Sequence, residues 1–141
     1  MLLEDRVAVI TGAGRGIGLG IADTFGRDGA RVVIGEIEAE RGREAAESLV
    51  ARGYQAEAMH LDVTDSASCR TLTERVVAEY GRIDVLVNCA GLFILHKSEA
   101  MPEDDWRLQI DVMLTGVFLM TQAVASAAMI PQQSGVVVNI A

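Results

Sequence analysis

Cysteine, clustered positive charge and long apolar runs are all scarce in this chain, and each shortage removes a class of protein. The only cysteines are Cys69 and Cys89, too few for a disulfide framework and at no metal-ligand spacing with His60 or His96, so no metal centre is expected. Lys and Arg total 12 against 20 Asp and Glu, for a formal net charge of -8, and they nowhere gather into a patch. That distribution argues against nucleic acid or an anionic membrane surface as a partner. No uninterrupted apolar stretch approaches the ~20 residues of a bilayer span. Met1-Leu2-Leu3 runs at once into Glu4, Asp5 and Arg6, which is the wrong order for a secretory leader. The cytoplasm is the expected compartment.

What remains is ample material for a core. Half of the 141 residues are hydrophobic, and a chain of this length buries roughly two thirds of the surface its unfolded form exposes. One domain covering residues 1–141 is expected. Its organising stretch runs from Arg6 to Gly20: the apolar run Val7, Ala8, Val9, Ile10 leads into Thr11 and then Gly12, Gly14, Gly16 and Gly18 at alternate positions. Ile17, Leu19 and Ile21 follow. The order is strand, glycine turn, helix. Such a turn brings backbone close to a ligand and aims the first free N–H groups of the helix at it, which suits a phosphate.

The usual G-x-G-x-x-G fingerprint fits in no register, because its last glycine would fall on Ile17, Leu19 or Ile21. The spacing Thr11-Gly12-x-x-x-Gly16-x-Gly18 resembles instead that of the short-chain dehydrogenase/reductase family. A second apolar run, Arg31 to Gly35, reads as a strand buried on both faces and ends in Glu36. Glu36 stands about 20 residues beyond Gly16, the distance at which a dinucleotide-binding unit places its ribose acid. A carboxylate there accepts from the ribose hydroxyls and repels a 2′-phosphate, which favours NAD over NADP. Two observations leave the choice open: Glu36 could simply be a solvated residue opening the next helix, and Arg15, inside the turn, could meet a 2′-phosphate.

Further along, strands and helices alternate. The helix after the glycine turn carries Ile17, Ile21, Thr24 and Phe25 on one face and stops at Gly29; a charged helix from Glu38 to Arg52 has the stripe Ala45, Leu49, Val50. A third strand spans Tyr54 to Leu61, a helix with N-cap candidates Thr64, Asp65 and Ser66 runs to Tyr80 and buries Leu72, Val76 and Val77, and a fourth strand covers Ile83 to Val87. Residues 92–101 read as a loop. Pro102 and three acids open a long helix to Ile130, with small residues such as Ala123, Ala127 and Ala128 near its end, and Gly135 to Ala141 forms a fifth strand. The expected fold is a Rossmann-like doubly wound parallel sheet of order 3-2-1-4-5, with its ligand near the switch between strands 1 and 4.

The family resemblance extends over essentially all of the chain and implies several roles. Asp62 and Val63, after the third strand, would hold the adenine ring; without the resemblance Asp62 reads as a turn residue. Asn88-Cys89-Ala90-Gly91 is similar to the family's Asn-Asn-Ala-Gly segment, with Asn88 tying strand ends together and Ala90 and Gly91 leaving room for the cofactor. Cys89 reads as a small packing residue. The implied cofactor-binding set is Thr11, Gly12, Gly14, Arg15, Gly16, Ile17, Gly18, Glu36, Asp62, Val63, Asn88, Ala90 and Gly91. By the same analogy, the long helix would form an interface between copies of the chain.

Two departures limit the analogy. Trp106 and Gly116 match the family pattern, but Met113 stands where the family has an Asn that holds a helix kink and feeds a proton relay. A thioether has no donor for either task, and Met113 reads as core filler. The family's catalytic Ser and its Tyr-x-x-x-Lys pair would follow Ala141, and neither Tyr54 nor Tyr80 has a Lys four residues on, so no catalytic residue is expected here. The apolar fifth strand then needs a further segment or a partner to cover its edge. The expected function is an NAD(P)-dependent oxidoreductase acting on an alcohol/carbonyl pair, represented by its cofactor-binding part. The alternative is a non-catalytic dinucleotide-binding or assembly module. A flavodoxin-like or receiver domain is disfavoured by the glycine motif itself.

Overall fold

In the computed structural model, which describes residues 1–141, five parallel strands form one sheet in the order β3-β2-β1-β4-β5. The strands are β1 (Val7–Thr11), β2 (Arg31–Glu36), β3 (Gln55–His60), β4 (Val85–Asn88) and β5 (Val136–Asn139); the helices are α1 (Gly16–Arg27), α2 (Ala39–Val50), α3 (Ser66–Tyr80) and α4 (Glu103–Gln132). β1 sits at the centre, with Ala8 beside Val32 of β2 on one side and Val85 of β4 on the other. Every β1 residue is buried, as a strand covered by helices on both faces requires.

Alternation along the strands sends side chains into two cores. Val9, Val33 and Leu86 pack with Leu72 and Val76 of α3 and Met120 and Val124 of α4. Ala8, Ile10, Val32 and Ile34 pack on the other face with Ala22 of α1 and Ala46 and Leu49 of α2. Burying each of the larger side chains contributes about 1.5–3 kcal/mol.

The helices meet the sheet through smaller residues than their apolar stripes suggest. α1 buries Gly18, Ala22 and Gly26, one turn apart, whereas Ile17 is 67% exposed and Thr24 is exposed as well. A Cβ at Gly18 would come within 2.7 Å of the Gly12 carbonyl oxygen, so a bulkier face would push the helix off the glycine turn. In α2 the buried face is Gly42, Ala45, Ala46 and Leu49, and the expected Val50 is 52% exposed. α3 buries Cys69, Leu72, Thr73 and Val76, with Val77 only partly covered. Its ends follow the expected chemistry: the Asp65 carboxylate accepts from the Ala67 N–H at 2.9 Å, and Gly81 closes it in the left-handed region at φ 74°.

α4 is one continuous helix of 30 residues, opened by Pro102 and the acids Glu103, Asp104 and Asp105. By length and composition it could cross a bilayer, which a count of uninterrupted apolar residues did not register. In this fold its Gly116, Met120, Val124 and Ala128 face is spent on α3 and the sheet. Two stretches, Asp111–Thr115 and Ala125–Met129, widen into π-helical turns. β5 pairs with β4 through Asn88 and Asn139, and all four of its residues remain exposed.

Candidate functional site

β1 and β4 are neighbouring strands, but the helices that follow them, α1 and α4, cover opposite faces of the sheet, and the crevice at their carboxyl ends is the natural ligand position of an open parallel sheet. Its floor is braced from both sides. The Thr11 hydroxyl accepts from the Cys89 and Ala90 N–H groups at 3.0 and 2.9 Å, while the Gly12 N–H donates to the Gly35 carbonyl at 2.7 Å. Gly12 takes φ 66°, and a Cβ there would lie 2.7 Å from the Ala90 Cα. Only glycine meets both demands.

Beyond this floor the chain passes through an exposed Arg15 and a left-handed Gly16 at φ 58° into α1, whose first turn has no side-chain cap. The uncapped N–H groups and the positive end of the helix dipole therefore remain available to an anion. The crevice holds about 470 Å³ and is lined on this side by Gly12, Arg15, Gly16, Ile17 and Gly18.

β2 supplies the second wall. Glu36 ends that strand with its side chain only 4% exposed, so it is no solvated helix opener. One carboxylate oxygen, Oε2, accepts from the Gly14 N–H at 3.0 Å; the other, Oε1, accepts from the Glu38 N–H at 3.2 Å and from Arg41 Nη2 at 2.7 Å. Burial pushes its pKa up, but the Arg41, Glu38 and Gly14 donors outweigh burial and hold the carboxyl below its ordinary range. Arg41 also reaches Glu38 at 2.8 Å.

At the end of β3, Asp62 and Val63 line the crevice. Part of the Asp62 acceptor capacity is already engaged, since Oδ1 takes the Thr64 N–H at 2.9 Å and the Thr64 hydroxyl at 2.7 Å. On the β4 side Cys89, Ala90, Gly91 and Leu92 face in, joined by Val112 of α4 and Ile140 after β5. Burial raises the Cys89 thiol pKa, which suits a packing role.

Ten of the thirteen expected binding residues thus line one crevice. Thr11, Gly14 and Asn88 do not, and they act behind it. Thr11 clamps β1 to the segment after β4, Gly14 packs under Glu36, and the Asn88 side-chain amide donates to Thr121 Oγ1 at 3.1 Å and Asn139 Oδ1 at 2.9 Å. The sequence analysis does not single out Arg41 and Glu38; a cation five residues past Glu36, in the first turn of the next helix, is the available signal.

Met113 is the site's one displaced expectation. It is 46% exposed and not core filler, and it stands in the π-helical turn Asp111–Thr115. A Cβ at Gly91 would lie 3.7 Å from its sulfur, so the thioether packs beside Gly91.

A family model described as short chain dehydrogenase matches residues 6–141. Among curated proteins, the chain is 38% identical to galactitol 2-dehydrogenase of Agrobacterium fabrum, aligning over 100% of this chain and 54% of that protein. It is 42% identical to a 3-oxoacyl-[acyl-carrier-protein] reductase of Thermotoga maritima, over 99% of this chain and 56% of the relative. The chain therefore spans about half the length of the curated relatives it matches. Among solved structures, a metagenomic short-chain oxidoreductase in complex with NADP superposes with a TM-score of 0.92 at 37% identity, covering 100% of this chain and 64% of the other.

Proposed function

This chain belongs to the short-chain dehydrogenase family, and from that premise we propose that it is the dinucleotide-binding part of an NAD(P)-dependent oxidoreductase acting on an alcohol/carbonyl pair. The observation that carries the reading is the crevice between β1 and β4, where a backbone floor admitting no side chain at Gly12 meets an uncapped helix N-terminus. These features fit a pyrophosphate: close backbone approach, free N–H donors and the dipole of α1. In this reading Gly12, Arg15, Gly16, Ile17 and Gly18 hold the pyrophosphate, Glu36 accepts from the adenosine ribose, and Asp62 and Val63 border the adenine. Ala90 and Gly91 leave space for the nicotinamide half. Thr11, Gly14 and Asn88 hold these groups in place.

The bound dinucleotide would supply the hydride chemistry, and the residues of this chain orient it and shield it from water. Neither tyrosine lines the crevice. Tyr80 donates its hydroxyl to Glu57 and to Glu79, and burial together with these carboxylates pushes its pKa far above the ordinary phenol, so it is no proton donor to a substrate. NAD is the favoured form, because the charged Glu36 faces the position of a 2′-phosphate. Titration with NADH and NADPH, read by nicotinamide fluorescence, tests the assignment: NADH should bind more tightly than NADPH, and binding of neither overturns it. The exposed Trp106, Leu114 and Phe118 on the outer side of α4 support self-association, which sedimentation measures directly.

A further inference from the structure

The adenosine end of the crevice contains a cation whose role goes beyond neutralising charge. Glu36 offers about four acceptor positions on its two oxygens. The chain itself fills three of them: Arg41 and the Glu38 N–H on Oε1, and the Gly14 N–H on Oε2. One position remains, on Oε2. A ribose diol that sought both oxygens would find Oε1 already taken.

Arg41 is held as tightly as the carboxylate it occupies. It lies in the first turn of α2 with its side chain 25% exposed, lines the crevice, and pairs with both Glu36 and Glu38. Its Nε is buried and makes no hydrogen bond. A guanidinium on the crevice wall, beside the acid that disfavours a 2′-phosphate, can pair with one, since phosphate oxygens pair with a guanidinium more strongly than neutral acceptors do.

We propose that Arg41 is a specificity-determining residue for the dinucleotide: by occupying Oε1 of Glu36 and offsetting its charge, it narrows the preference for NAD and lets the crevice admit a 2′-phosphorylated ribose as well. The proposal rests on the dinucleotide reading above. Gly14 packs against the same pair: a Cβ there would lie 2.5 Å from Glu36 Oε2 and 2.9 Å from Arg41 Cγ, so both side chains would have to shift to admit one.

The test compares dissociation constants for NADH and NADPH in the parent chain, Arg41→Met and Arg41→Lys, with urea unfolding of each to establish folding. In Arg41→Met the ratio of NADPH to NADH dissociation constants should rise about tenfold, through weaker NADPH binding, while NADH binding stays within about threefold. Arg41→Lys should fall between, keeping the charge and losing the fork; it also carries the test if Arg41→Met fails to fold. Equal weakening of both dinucleotides would show a merely structural role and overturn the proposal, as would an unchanged ratio. A parent chain that binds neither dinucleotide overturns the cofactor reading itself, a separate result.

Discussion

Two buried carboxylates at opposite ends of the sheet, Asp84 and Glu36, have nearly the same electrostatics and different surroundings. At the amino ends of the strands, Asp84 accepts from the Val7 N–H at 2.9 Å, from Arg6 at 3.1 Å and from Arg82 through two bonds of 2.9 and 2.5 Å. Burial raises its pKa, and the Arg82, Val7 and Arg6 donors more than reverse that, as Arg41, Glu38 and Gly14 do for Glu36. A depressed pKa therefore separates neither from the other. The difference lies in acceptor capacity and space: all four positions on Asp84 are filled, while Glu36 keeps one open on a crevice of about 470 Å³. Binding sites in such a fold are marked by an unspent acceptor beside open space.

Substitutions can break this contrast, and the backbone beneath Glu36 should respond most. Gly12→Ala forces a Cβ into the left-handed region and against the Ala90 backbone; it should cost about 3 kcal/mol in urea unfolding and abolish dinucleotide binding. Next comes Asp84→Ala, which strands the Val7 N–H and frees two arginines that are themselves about half exposed. A loss of about 2 kcal/mol is expected, with NADH affinity unchanged.

The same carboxylate makes a pH prediction. Because its folded pKa is depressed from 3.8, Asp84 contributes fully above that value and progressively less as pH falls through the folded one. Asp84→Asn should therefore flatten the fall in urea midpoint below about pH 4; an unchanged acid limb would mean that Asp84 is equally stabilised in the unfolded chain. Glu36→Ala comes next, costing about 1 kcal/mol of stability while weakening NADH binding about tenfold and relaxing discrimination against NADPH. If stability falls and affinity does not, Glu36 is a second Asp84. The smallest effect is assigned to Met113→Asn, within about 0.5 kcal/mol because the side chain is half-exposed.

The strand order, the glycine turn and the spacing to Glu36 were legible in sequence because each depends on local pattern: short apolar runs, punctuating glycines and a fixed crossover length. Helix faces were read less well. Ile17 and Val50 looked like core residues by apolar spacing, yet α1 buries only glycine and alanine, and α2 buries Gly42, Ala45 and Ala46 beside a single large residue, Leu49. The π-helical turns at Asp111–Thr115 and Ala125–Met129 consist of residues compatible with an ordinary helix, so only tertiary packing selects the wider turn. Arg41 escaped for a related reason. Its charge was visible, but its pairing with Glu36 depends on where α2 begins relative to the end of β2.

The double acceptor at Thr11 has a kinetic consequence. One hydroxyl holds two successive N–H groups beyond β4, which locks the end of β1 to the segment that follows β4. A crevice with a floor of fixed width cannot admit a long ligand by spreading that floor. The segment that leaves the crevice at Leu92 is built differently: between Leu92 and Met101 it has only the turn Ser98–Ala100, with tethers from the Ile94 N–H to Gln109 at 3.2 Å and from His96 to Asp105 at 2.8 Å. With so few bonds, this segment is the more yielding one. Rates of ligand entry and exit should follow substitutions in these tethers, while the strength of binding follows those in the floor.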